Sequence, residues 1–320
     1  MVFGHNIQFA SGCYMIKNEM FFDNNVFRFI YSFHMPCLML ISGYFFGVHI
    51  TKGKSIYNRI KTLFIPIMSW TMIPVAIIIY SRYQDNIGFL LIFSECFSCF
   101  VRYYWFLWAV IFSSMIIWGV HKVAGDNLLI LITIGAVLLF IPRLSDLWIF
   151  MYPYYTIGFL FYTKKIEVER YIKDFGIHIL ICCSFLFIIL LMFYTKEVYI
   201  YTTGVKVGSI LQLGIDLYRY IVGFIGSLTI IMIWYRFHPI IEMRFPVVNK
   251  ILEYLGRTTL IVYVIDTLLN SYVIPYITKE FSLNYYVTIF ETIFVLLLCT
   301  AIDFFINKSL FLKRVLKGAR

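Results

Sequence analysis

Charge is what this sequence has least of. Only 14% of its 320 residues are Asp, Glu, Lys or Arg, against about 25% in an ordinary soluble domain. Too few polar residues are present to cover a water-facing globule, which excludes a soluble enzyme, and a disordered segment would need more charge still. No block of 20–50 residues repeats, so solenoids and propellers are excluded, and there is no low-complexity tract. The chain opens without a charged n-region or an A-x-A cleavage site. No stretch between apolar runs is long enough for a second, soluble domain, so a single domain over 1–320 is expected. The seven cysteines make no disulfide framework. Cys37, Cys182, Cys183 and Cys299 lie within apolar runs, where cysteine behaves as a small hydrophobe. Cys96 and Cys99 form a lone C-x-x-C with no second pair and no flanking His, so no metal is expected.

What is present is apolar surface. Hydrophobic residues make up 61% of the chain and aromatics 20%, and the mean hydropathy is +0.84. The composition predicts an all-α, polytopic transmembrane helix bundle, with the lipid bilayer as its main partner. A bilayer core of about 30 Å takes about 20 helical residues. On that measure spans fall near 26–48, 62–81, 103–120, 127–141, 147–163, 176–194, 212–235, 258–277 and 283–306, nine in all. The apolar stretch 87–101 is short and carries Glu95, and reads as interfacial or re-entrant.

A net charge of +10 does not point to nucleic acid here, because the basic residues occupy alternate short loops. Lys52, Lys54, Arg59 and Lys61 form one group; Lys164, Lys165, Arg170 and Lys173 a second; Arg236, Arg244, Lys250 and Arg257 a third. Lys122 joins that side, as do Lys308, Lys313, Arg314, Lys317 and Arg320. The opposite side holds Lys17, Arg82, Arg102, Arg143, Lys196, Lys206 and Lys279, with Arg28 and Arg219 near outer helix ends. The positive-inside rule then places the C-terminus in the cytoplasm of a cell membrane and residues 1–25 outside. Nine spans with that ending imply a tenth upstream, of which the first four residues would be the tail.

Ionisable residues within spans are expensive and are functional candidates. His34 lies about a third of the way into its span, beside Pro36 and ahead of Ser42 and Gly43. An imidazole there could exchange a proton near neutral pH or simply bond a neighbouring helix. By position alone His5 is an exposed His near a terminus. Asp216 and Arg219 share a helix face, and an internal salt bridge is expected of them. Asp266, Glu291 and Asp303 need partners that spacing does not supply. Trp105 and Trp108 read as an interfacial aromatic belt. Arg59 and Lys61 are either snorkelling anchors or a phosphate clamp.

Several segments together resemble the acyltransferase 3 family of integral membrane acyltransferases, nearest its fucose 4-O-acetylase-like sugar O-acetyltransferases. FHMPCLMLISGYFFG is similar to the family's F-H-M-P segment with its following S-G-Y. RIKTLFIP resembles its basic stretch before the third helix, YYWFLWAVIF its W-F-L segment, YPYYTIGFLF its F-P-F-F segment and LEYLGRTTLIVYVID its L-G-x-x-S-L-x-I-Y segment. Order and spacing agree across roughly residues 5–270. The resemblance implies a ten-helix architecture and transfer of an acyl group, usually acetyl, from cytoplasmic acyl-CoA to an extracytoplasmic hydroxyl. MVFGH matches the end of the family's first helix, so His5 inherits an essential catalytic role, and His34 maps onto the His of the second helix. The family's first helix normally carries an Arg about ten residues before that His, whereas this chain starts four residues before His5. Thr62 stands where many members have a second Arg, and Asp266 replaces a common His.

From these pieces the expected function is transfer of acetyl from acetyl-CoA to a sugar hydroxyl of a surface polysaccharide. His5 would be the base, assisted by His34, with an acetyl-His relay as an open alternative. Arg59 and Lys61 would hold the donor's phosphates, and Arg28 and Trp105 would contact the carbohydrate acceptor. The rival expectations are a glycan or lipid-linked sugar flippase and an inactive remnant lacking most of the first helix. No paired halves of the kind transporters show are visible in the sequence.

Overall fold

A computed structural model describes residues 1–9, 21–22, 24–84, 88–141, 145–205, 209–277 and 285–318. Lys17, Arg143, Lys206, Lys279 and Arg320 of the charge pattern lie outside the described residues. The elements among the described residues are helical, without a strand. In chain order the main helices are α1 Val2–Phe9, α2 Asn25–Thr51, α3 Ile56–Gln84, α4 Phe89–Arg102, α5 Trp105–Ala124, α6 Leu128–Leu138, α7 Asp146–Thr163, α8 Lys165–Met192, α9 Ile210–Arg244, α10 Pro246–Arg257, α11 Thr259–Tyr272, α12 Tyr285–Lys308 and α13 Leu310–Lys317.

Seven of these are long and apolar enough to cross a bilayer: α2, α3, α5, α8, α9, α12, and α11 with its continuation to Tyr276. The two remaining expected spans are helical, but differ in kind. α6 has 11 residues, about 16 Å of helix, too short to cross alone. α7 has 18 residues, rich in Tyr, and buries Phe150, Tyr152, Tyr154, Tyr155 and Phe159 against protein rather than lipid. The stretch read as interfacial is α4, a 14-residue helix with no buried residue.

The chain divides into two compact units that interleave along the sequence. The first holds residues 22–56 and 109–246. Its α2 begins at a good cap, where the Asn24 side chain accepts from the Val26 and Phe27 amides at 3.0 Å. Such a cap stabilises a helix start by about 1 kcal/mol. α2 and α7 cross at paired glycines. A Cβ on Gly43 would strike the Tyr155 carbonyl, and one on Gly158 the Leu40 carbonyl. In lipid, where apolar burial no longer drives helices together, this close backbone approach is what packing can supply. α9 adds Gly223 against Pro36 and Tyr154, and Gly226 against Phe187 and Phe33.

The second unit holds residues 1–21, 57–108 and 247–320. α1, α11 and α12 pack on one another within it. α13 lies along α3: Ser69 donates to the Val315 carbonyl at 2.6 Å and Trp70 Nε1 to that of Leu316 at 2.9 Å. Gly318 ends α13 in the left-handed region, φ 62°, pressed so closely on the Thr62 backbone that no side chain would fit. Lys317 reaches Asp303 at 2.6 Å, giving that span carboxylate its counter-ion.

Candidate active site

α1, α11 and α12 bring together residues more than 260 positions apart. His5 on α1 places Nδ1 2.5 Å from Oδ2 of Asp266 on α11. Asp266 is wholly buried and His5 retains 20% side-chain exposure. Asn270, one turn along α11, donates from Nδ2 to Asp266 Oδ1 at 2.8 Å and to the Asp266 carbonyl at 2.9 Å. A carboxylate only accepts, so His5 carries its proton on Nδ1 and presents Nε2 as the lone-pair nitrogen. A buried acid that fixes the tautomer of a more exposed His is the arrangement that makes imidazole a general base. The residue beside His5 is also anchored, with Asn6 Nδ2 donating to Thr292 Oγ1 on α12 at 3.1 Å.

Spacing alone gives Asp266 no partner, and the resemblance marks it only as a departure. The signal available in the sequence is that a span carboxylate needs a cation or donor, and His5 is the unplaced candidate. Asp303 is met by Lys317, by Tyr254 at 3.2 Å and by Asn307 at 2.7 Å. Burial, then the neighbouring Asp303 charge, pushes the Tyr254 phenol above its ordinary value.

The remaining expected site residues fall in several places. Trp105 opens α5 half-buried. The preceding turn leans on the Asp266 helix, with Tyr104 edge-on to Tyr263 at 6.0 Å and the Tyr103 hydroxyl 3.5 Å from the Thr267 carbonyl. Trp108 donates to the Phe100 carbonyl at 3.1 Å. Arg59 and Lys61 lie at the start of α3, Arg59 half-buried and Lys61 exposed. The Arg59 carbonyl accepts from Thr62 at 2.8 Å.

His34 and Arg28 belong to the first unit. His34 is 8% exposed, and its Nδ1 donates to the Ile30 carbonyl at 2.9 Å, so its Nε2 is the accepting nitrogen when neutral. Tyr31 meets it edge-on at 4.6 Å. Arg28 directs Nε and Nη2 at the Tyr194 carbonyl, 2.9 and 2.5 Å away, closing the end of α8. The expected Asp216–Arg219 bridge is present at 2.8 Å. Arg219 also donates to the carbonyls of Val198 and Gly204 and to Thr203 Oγ1. The segment 194–204 is thus tied to both α2 and α9. On it, the Thr195 hydroxyl holds the Glu197 carboxyl below its usual range. Among the described residues no group of three or more His, Cys, Asp or Glu gathers to hold a metal.

With this geometry in place, the comparisons with known proteins are specific. The family described as an acyltransferase domain matches residues 1–307. Nodulation protein NolL of Sinorhizobium fredii is 31% identical over 181 residues, covering 53% of this chain and 46% of NolL. NolL of Mesorhizobium japonicum is 27% identical over 174 residues, 50% of this chain and 44% of that protein. The chain therefore spans about half the length of the curated relatives it matches. No solved structure matches.

Proposed function

The chain belongs to the acyltransferase 3 family of integral membrane proteins, and on that premise we propose that it moves an acetyl group from cytoplasmic acetyl-CoA to a sugar hydroxyl of a surface or extracellular polysaccharide. The observation that carries this reading is the His5–Asp266–Asn270 relay, buried at its acid end and partly exposed at its base end. A sugar hydroxyl is a weak nucleophile. It needs a base within hydrogen-bond reach, and His5 Nε2 has the tautomer for that role. As the hydroxyl oxygen attacks the thioester carbonyl carbon, its proton passes to His5, and Asp266 stabilises the imidazolium. Collapse breaks the carbon–sulfur bond, and the same proton returns to the leaving thiolate. No net charge is left on the protein.

Arg59 and Lys61 would hold the donor's phosphates at the cytoplasmic end of α3, and Trp105, just after a turn packed against the Asp266 helix, would face the acceptor. His34 and Arg28 are also proposed to contact substrate. The basic loops support a cytoplasmic C-terminus in a cell membrane. In proteoliposomes given radiolabelled acetyl-CoA, wild-type chain should form base-labile acetyl ester on host polysaccharide. His5→Ala should reach the membrane in normal amount and form none. Full transfer by His5→Ala would sink the assignment.

A further inference from the structure

The helices that hold His5 also leave buried hydrogen-bond acceptors without donors. Among the described residues, Asn6 Oδ1, Asn270 Oδ1 and both carboxylate oxygens of Glu291 are buried and meet no hydrogen-bond partner. Chemistry fixes the two amide orientations. Asn270 Nδ2 faces two oxygens of Asp266 at 2.8 and 2.9 Å that can only accept, so its own Oδ1 must point elsewhere. Asn6 Nδ2 faces Thr292 Oγ1, whose single proton is committed to the Thr288 carbonyl at 2.7 Å. Asn6 must therefore donate there, and its Oδ1 is left over.

These oxygens belong to residues next to the relay in the chain, on the three helices that pack together around it. Asn6 follows His5, Asn270 lies one turn beyond Asp266, and Glu291 precedes the Thr292 that anchors Asn6. Buried polar atoms without partners are rare and costly, and the transfer chemistry above uses none of these four. The two amide oxygens accept, and so do both oxygens of Glu291 when it is ionised. A ligand that satisfies them must bring several O–H donors at once, which a lone alcohol on an alkyl chain cannot do and a sugar ring can. Resting on the acyl-transfer reading, we propose that Asn6, Asn270 and Glu291 form the acceptor-recognition site, which takes a polyhydroxylated ring and leaves one of its hydroxyls to His5. The unsatisfied carboxylate of Glu291 is the residue most specific to this role. Asn270 also steadies Asp266, and Asn6 also ties α1 to α12.

The test uses the full chain, purified in detergent and in proteoliposomes, with methyl pyranosides of glucose, galactose and fucose as probes and 1-octanol as the single-hydroxyl control. Binding is read as a shift in Tm, and transfer as labelled acetyl ester. The pyranosides should raise the wild-type Tm. Glu291→Leu should itself melt higher than wild type, because it removes an unsatisfied carboxyl, yet lose the pyranoside-induced shift. Its pyranoside KM should rise at least tenfold while its acetyl-CoA KM stays within twofold. Glu291→Gln, which keeps one accepting oxygen, should fall between. A Glu291→Leu protein with wild-type pyranoside KM and Tm shift overturns the site. So does one that melts lower and loses both substrates equally, the mark of a structural role. Acetyl transfer to 1-octanol without pyranoside binding overturns the site and spares the acyl-transfer reading. Pyranoside binding without acetyl transfer to any hydroxyl does the reverse.

Discussion

At the scale of single residues, the decisive contact is the one between His5 and Asp266. Exchanging Asp266 for Asn keeps the volume but lets the side chain donate as well as accept, so the imidazole no longer has a fixed tautomer. Asp266→Asn should lower kcat by about 10²–10⁴-fold, the range in which positioned general bases and their orienting acids act. Its acetyl-CoA KM should stay near wild type, since nothing at the donor end changes. Asn270→Ala removes one hydrogen bond to a charged oxygen, about 1.5–3 kcal/mol in typical measurements, so a loss of roughly ten- to a hundredfold in kcat is expected. Initial rates over a matrix of donor and acceptor concentrations check both. The role proposed for His5 is legible only through resemblance. Nothing local in MVFGH distinguishes a catalytic His from an exposed one, and its acid lies 261 residues away in sequence. Arg28 shows the complementary limit. The sequence shows a cation near an outer helix end, and only the structure adds that two of its nitrogens are directed at the Tyr194 carbonyl.

Elements were far more legible, because a bilayer demands about 20 apolar residues at a time and little else produces that pattern. The runs centred on α2, α3, α5, α8, α9, α11 and α12 were all visible as such. α7 was visible as a helix but not as the partner of α2, since Gly43 and Gly158 sit in segments that differ in sequence and meet only in space. Gly158→Val places a branched side chain where the Leu40 carbonyl lies. It should abolish the monodisperse folded species in detergent. Gly119→Ala on α5, with open space around the new methyl, should leave the Tm within a degree or two. The ties on the 194–204 segment make a second element-level expectation. Arg219→Met leaves Asp216 buried without its cation, a loss of about 3–5 kcal/mol for a broken buried pair. Limited proteolysis from outside should then cut within 194–204, where the wild-type segment resists.

For the molecule as a whole, the charge asymmetry is what supports the proposed orientation of the bundle. Lys52 and Lys164 fall on the basic side and Lys196 on the other, and all three are exposed. In intact cells an impermeant maleimide should label Lys196→Cys and spare Lys52→Cys and Lys164→Cys until the membrane is opened. The reverse pattern would turn the whole topology over. One further feature bears on how the bundle is made rather than how it works. Asp303, only 1% exposed in the last span, takes its counter-ion from Lys317, a residue the ribosome adds later. Until α13 docks, that span carries a carboxylate without its cation, so docking of α13 is the step that completes the bundle. Chains cut short after Ser309 should be recognised as unfinished and cleared by membrane proteases faster than full-length protein in a pulse-chase. Asp303→Asn in the shortened chain should restore much of its lifetime, because the span then no longer holds a charge whose cation is missing.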